Sequence, residues 1–65
     1  MRTFIFDYTI KVSKWHIIRN VLDIEADDQV QAIVDAKRYV EGQLRQLGLT
    51  ASALEIFVLL GSRPA

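Results

Sequence analysis

The amino-acid sequence predicts an α+β fold with the element order β-β-α-β, and three observations support this prediction. Apolar and polar residues alternate strictly in the first segment, a β-rich segment follows it, and a helical period then precedes a short apolar run. We expect strands over about residues 2–12, 15–25 and 54–60, and one long helix over about residues 28–47. The chain is short enough to form a single domain over residues 1–65.

The first two segments are predicted to form a hairpin. Every even position from Phe4 to Val12 is apolar or aromatic, whereas Thr3, Asp7 and Thr9 occupy odd positions, so the first strand is half-buried. The second strand is apolar on parts of both faces. No Gly or Asn stands between the two strands, so the turn lacks typical hairpin residues and its length stays open.

The third segment has the period and the ends of a helix. Asp27 or Asp28 is suited to cap its start, and Gly48 stands where a glycine commonly ends a helix. Gly42, inside the segment, marks either close packing or no special contact. The residues expected to face the sheet recur at helical spacing: Val30, Ile33, Val34, Lys37, Val40, Leu44 and Leu47.

The topology follows from the order of the elements. The hairpin strands pair, and the helix returns the chain so that the third strand lies beside the first. The prediction is a three-stranded antiparallel sheet of order 2-1-3 with one long helix packed on one face. The third strand, from Leu54 to Leu60, is then an edge strand that is apolar on both faces, and residues 61–65 are expected to form a flexible tail.

Size and composition favour self-association. A chain of 65 residues buries only about 60% of the surface that its unfolded form exposes, so a lone core gives marginal stability. The absence of cysteine excludes disulfides, and a single histidine argues against a zinc site. Hydrophobic residues make up 51% of the chain, more than one small core readily hides. We therefore expect a homodimer or a higher homo-oligomer.

The predicted self-association surface is the sheet face that the helix leaves open. Its expected residues are Ile5, Ile17, Val21, Phe57 and Leu59, with Trp15 beside them. Either the third strand pairs with its symmetry mate or two open faces stack. The alternative is that the tail, or another strand order, covers this face within one chain.

A second candidate site is the basic and aromatic hairpin tip. Lys11, Lys14, Trp15 and Arg19 could hold phosphates and stack on a base, a combination used by single-strand and RNA binders. The equal totals of 8 basic and 8 acidic residues argue against a dedicated nucleic-acid binder. The alternative is a solvated turn, with Trp15 packed at the sheet end or in a dimer interface.

The sequence predicts no enzyme, no metal and no cofactor. His16 has no partner pattern for general base catalysis, and no phosphate loop or nucleophile elbow is present. Strand-end solvation and helix capping account for a cluster that lacks the spacing of a calcium loop, namely Asp23, Glu25, Asp27 and Asp28. No apolar run approaches the ~20 residues that span a bilayer, and no export signal is recognised. We expect a cytoplasmic location and no membrane contact.

The stretch VLDIEADDQVQAIVDAK, in which a strand runs into a capped helix, resembles a junction in small β-β-α proteins of plasmids and phages such as the DpnD/PcfM type. The β-β-α-β order also resembles that of the archaeal ribosomal protein LX family. Neither resemblance implies a function for this chain. The sequence favours a small non-enzymatic homo-oligomeric interaction module, with an unidentified protein partner or a role as a phage or plasmid accessory protein. The alternative is a nucleic-acid-binding accessory protein that uses the hairpin tip.

Overall fold

The computed structural model describes residues 1–65 and confirms the predicted α+β fold and strand order. The central strand β1 pairs antiparallel with both neighbours, giving the sheet order β2-β1-β3. A short 3-10 turn, Ala51–Ala53, links the helix to the last strand. The elements are β1 at Arg2–Ser13, β2 at His16–Ala26, α1 at Gln29–Gln46 and β3 at Leu54–Pro64.

A two-residue turn, Lys14-Trp15, joins β1 to β2. Neither residue has a positive φ, so the turn is not one of the primed types that match the twist of a hairpin. The register shifts between Lys11 and Ser13, which leaves Val12 as an extra residue in β1. This bulge accommodates the unfavourable turn, because a bulge adds local twist to the strand.

The core lies between β1 and α1. The side chains at even positions of β1 point at the helix and pack against helix residues that are spaced four apart. Two clusters result. One holds Phe4 and Phe6 against small helix residues, and the other holds Tyr8 and Ile10 against larger ones. The buried helix residues are Ala32, Ala36, Val40 and Leu44.

The predicted inward stripe of the helix is only partly correct. Ile33, Val40 and Leu44 pack against the core as predicted, but Val30, Val34, Lys37 and Leu47 are exposed. Ala32 and Ala36, which were not predicted to face the sheet, are fully buried. The physical reason is volume. The two phenylalanine rings of β1 fill the space above the sheet, so alanine packs there without strain and valine does not fit as well.

Bulges set the phase of β3. Its register with β1 shifts between Thr9 and Ile10 and again between Ile5 and Phe6, which leaves Glu55 and Leu60 as the extra residues. Side chains on the two sides of each bulge therefore fall out of simple alternation.

Phe57 and Leu59 pack against the core beside the helix, so their predicted place on the open face is wrong. The Phe57 ring stacks on Phe6 with centroids 5.3 Å apart, which fixes this side of β3 inward. Ile56 and Val58 consequently lie on the opposite face, beside Thr9 and Asp7 of β1.

The end of the chain is paired, contrary to the predicted flexible tail. Gly61 lies opposite Ile5 and Pro64 lies opposite Arg2 in the ladder between β1 and β3. The Arg2 guanidinium also donates a hydrogen bond to Ser62 Oγ at 3.2 Å. The long β1 offers backbone partners along its whole length, and residues 61–64 use them.

Both ends of α1 are capped as the sequence predicts. Asp28 Oδ1 accepts a hydrogen bond from the Gln31 N–H at 2.8 Å. At the other end Gly48 has a φ of 71°, and the Leu49 N–H donates to the Leu44 carbonyl at 2.8 Å. These contacts form a Schellman motif, in which glycine avoids the steric cost of a positive φ.

We predict opposite effects of alanine at two glycines of this region. Gly48→Ala should lower the free energy of unfolding by about 1 kcal/mol, because alanine resists a positive φ. Gly42→Ala should raise it by up to about 1 kcal/mol, since a Cβ at Gly42 meets nothing within 4 Å and helix propensity improves. Urea denaturation of both variants checks the signs, and a loss of stability in Gly42→Ala would contradict the packing described.

Candidate interaction face of the sheet

The helix covers one side of the sheet and leaves the other side open. We define the helix-free face by the odd positions of β1 and their cross-strand partners in β2 and β3. Five large apolar side chains of this face are exposed to solvent: Ile17 and Val21 from β2, and Ile56, Val58 and Leu60 from β3. Ile5 of β1 lies on the same face and is partly buried.

Three of the five predicted self-association residues lie on this face: Ile5, Ile17 and Val21. Phe57 and Leu59 do not, and β3 contributes Ile56, Val58 and Leu60 in their place. The sequence carries no signal for this choice, because β3 is apolar on both sides and its bulges are not visible in the pattern. The role of all these residues in self-association stays a prediction.

The charged side chains of the helix-free face are balanced in sign. Two ion pairs cross the sheet there, one from Arg19 to Asp7 at 3.1 Å and one from Arg63 to Asp23 at 3.3 Å. The second pair is exposed on both sides and contributes about 0–1 kcal/mol, whereas in the first only the guanidinium is exposed. The face carries three basic residues, Lys11, Arg19 and Arg63, and three acidic ones, Asp7, Asp23 and Glu25.

Asp7 occupies the middle of this face and is only 8% exposed. Val21 and Val58 are its cross-strand neighbours, and they shield it on both sides. Its Oδ2 accepts the hydrogen bond from Arg19, whereas its Oδ1 is buried without any hydrogen-bond partner. An unsatisfied buried acceptor costs about 1–3 kcal/mol, so Asp7 lowers the stability of the single chain.

A shallow hollow surrounds this carboxylate. Its lining consists of Asp7, Arg19, Asn20, Val21 and Leu60. The Arg19 side chain is 76% exposed, and its guanidinium makes a single hydrogen bond, from Nη2 to Asp7 Oδ2. The hollow thus combines the apolar side chains of Val21 and Leu60 with a buried acceptor and an exposed donor, a combination suited to the centre of a protein interface.

The hairpin tip brings together only part of the predicted nucleic-acid site. Trp15 is 89% exposed, and the Lys14 ammonium lies 5.5 Å from the centroid of its ring. The Trp15 N–H donates to Ser13 Oγ at 3.3 Å, which ties the turn to β1. Lys11 and Arg19 lie on the helix-free face instead, with Arg19 held by Asp7.

The acidic residues between β2 and α1 have separate structural roles. Asp23 pairs with Arg63, and Asp28 caps the helix. No three histidine, aspartate or glutamate side chains come together in a group that could hold a metal ion. His16 is exposed at the start of β2. Helix α1 does not combine the length and the apolar character that a membrane-spanning helix needs.

Comparison with protein-family models, with curated protein sequences and with solved structures finds no match to this chain. The function therefore has to be inferred from the residues and their geometry.

We predict that Asp7→Thr stabilises the single subunit. Removing the orphaned carboxylate recovers about 1–3 kcal/mol. Loss of the ion pair offsets about 1 kcal/mol of this gain, because the Arg19 guanidinium is already mostly in water, so the net gain is about 1 kcal/mol. Asp23→Thr is the matched control, because its side chain is half-exposed and leaves no buried orphan. Urea denaturation gives both values when the protein is dilute enough that the midpoint no longer depends on protein concentration. Equal effects of the two substitutions would show that Oδ1 carries no penalty.

Proposed function

We propose that the protein is a small non-enzymatic interaction module that works as a homo-oligomer, in which a second copy covers the helix-free face. The supporting observation is the set of large apolar side chains that stand in solvent on that face, Val21, Val58 and Leu60 among them. Monomers rarely leave a contiguous apolar patch of this kind in water.

The shape of the subunit supports the same proposal. Its radius of gyration is 12.3 Å, whereas a compact chain of this length has about 10.7 Å. Its accessible surface is 4532 Å², against about 4200 Å² for a monomer of this mass. The subunit is therefore elongated, with more accessible surface than a compact chain of its mass.

The size of the face supports the same proposal. The two longest extents of the whole subunit, 38 and 17 Å, bound the backbone outline of the face at about 650 Å². A specific interface of ordinary size buries about 800 Å² on each partner, and accessible area exceeds projected area on a surface of protruding side chains. Burial of this face alone thus approaches the ordinary size.

Charge favours a second copy over a partner of one sign. The face carries three basic and three acidic residues, so it complements itself when a two-fold axis brings opposite signs together. Edge pairing through β3 is less favourable, because bulges at Glu55 and Leu60 and the terminal Pro64 disrupt that edge. Stacking of two faces is the arrangement that we propose.

Fewer observations support the proposed location and biological context of the module. A cytoplasmic location belongs to the same proposal and stays a prediction. A role as an accessory protein of a phage or plasmid, acting on an unidentified protein partner, rests on the small size and on the resemblance of the strand–helix junction.

We predict that light scattering gives twice the 7.4 kDa mass of the chain. Val58→Glu should raise the dissociation constant at least tenfold, because it places a second carboxylate beside the buried one of Asp7. Val30→Glu, the same substitution on the exposed side of the helix, should leave the mass unchanged. A wild-type mass of one chain at high concentration would end the proposal.

A second candidate function is nucleic-acid binding through the hairpin tip. The observation that favours it is Trp15, which is 89% exposed with Lys14 beside its ring. A solvent-exposed indole next to a cation can stack on an unpaired base while the cation meets a phosphate. Balanced charge over the whole chain works against it, since phosphate contacts supply most of the affinity.

We predict for this second function that single-stranded RNA is retained at low salt and released by Trp15→Ala or Lys14→Glu. Each substitution should weaken binding at least fivefold, because base stacking contributes about 1–3 kcal/mol. Tyr39→Ala and Lys37→Glu, at exposed positions of the helix, are the matched controls. Fluorescence anisotropy with a labelled oligonucleotide measures all four variants, and equal binding by the tip variants and the controls would remove this function.

A further inference from the structure

We propose that the Asp7–Arg19 ion pairs of the two copies join into one network of four charged side chains at the centre of the interface. In this network Arg19 of each copy donates to Asp7 Oδ1 of the other while keeping its own bond to Oδ2. The inference rests on the proposed self-association and adds the contact that sets its register.

The first observation is the orphaned oxygen of Asp7. Its Oδ1 is buried with no hydrogen-bond partner, and Asp7 itself is 8% exposed. Nearly all buried polar atoms in folded proteins have a partner, so each exception needs an explanation. Nothing within the chain supplies a donor here, which leaves a donor from outside the chain.

The second observation is the spare donors of Arg19. A guanidinium carries five N–H donors in a planar fork, and only one of them, on Nη2, reaches Asp7. The side chain is 76% exposed and therefore free to bridge two carboxylates. The other arginine of this face, Arg63, is already paired with Asp23.

Symmetry then brings the two observations together. Asp7 lies near the middle of β1, so a two-fold axis across the face that passes near it superimposes the two faces with their strands reversed. In this arrangement the Asp7 side chains of the two copies lie next to each other, and the two Arg19 side chains lie between the carboxylates. Lys11 of one copy then overlies the row of the other that holds Thr3 and its cross-strand partner Glu25.

The consequence is a specific register. Apolar contacts among valine, leucine and isoleucine are non-directional and would allow several offsets. The two buried Arg19–Asp7 contacts between the chains allow one relative position of the two sheets, since any other position leaves a carboxylate unpaired in a desolvated site. This accounts for an aspartate that costs stability in the single chain.

The test uses two oppositely charged variants, Asp7→Arg and Arg19→Asp. In either homodimer both positions carry the same sign, so like charges meet within and between chains, and the dissociation constant should rise at least tenfold. In an equimolar mixture, the new guanidinium at position 7 of one chain faces the new carboxylate at position 19 of the other. The unchanged Arg19 of the first chain likewise faces the unchanged Asp7 of the second. Native mass spectrometry should then show the heterodimer at least tenfold over both homodimers.

Only contacts between chains can produce this rescue, because each chain keeps its like charges internally. A mixture without heterodimer preference, together with a dimeric wild type, overturns the network and leaves the self-association proposal standing. A monomeric wild type overturns both. If circular dichroism shows that Asp7→Arg does not fold, Asp7→Asn replaces it. That variant should weaken the dimer at least tenfold against Asp23→Asn, and equal dissociation constants for the two would overturn the network.

Discussion

One helix covers one face of a three-stranded sheet, and the main features of this subunit follow from that constraint. Helix α1 lies over β1 and β2, where alanines approach the phenylalanine rings of the central strand closely. The opposite face has no layer above it within the chain. A helix on one side of an antiparallel sheet is a complete two-layer domain, but its second sheet face is normally polar, whereas here it carries large apolar side chains. We propose that a second copy of the chain covers it.

The bulges of β3 decide which side chains that missing layer would meet. Without them, and without the stacking of Phe57 on Phe6, the last strand could turn either apolar side outward. They also twist and interrupt the free edge of the sheet, a common way to prevent strand addition. The same irregularity therefore directs Ile56 and Val58 outward and disfavours the other mode of association. This link between register and interface is the reason for preferring face stacking.

The sequence sufficed for the fold but not for the exact composition of the open face. Period and capping residues identify the strands, the helix and the order of the sheet, and in β1 the strict alternation also identifies the side chains that pack against the helix. In β3 both sides are apolar, so no pattern separates Phe57 from Val58, and only the ring packing on Phe6 decides. The helix rotation was missed for a related reason: volume matching between alanine and phenylalanine outweighs the hydrophobicity of Val30. The buried position of Asp7 likewise depends on two neighbouring strands that one strand's pattern does not contain.

The central claim is that the helix-free face contacts the same face of a second copy. It is tested most directly by isotope-filtered nuclear Overhauser spectroscopy on a mixture of carbon-13-labelled and unlabelled chains, which detects only contacts between molecules. The account predicts intermolecular signals among the methyl groups of Ile17, Val21, Ile56 and Val58. Intermolecular signals confined to the helix methyls of Val30 and Val34, or no such signals at millimolar concentration, would contradict it.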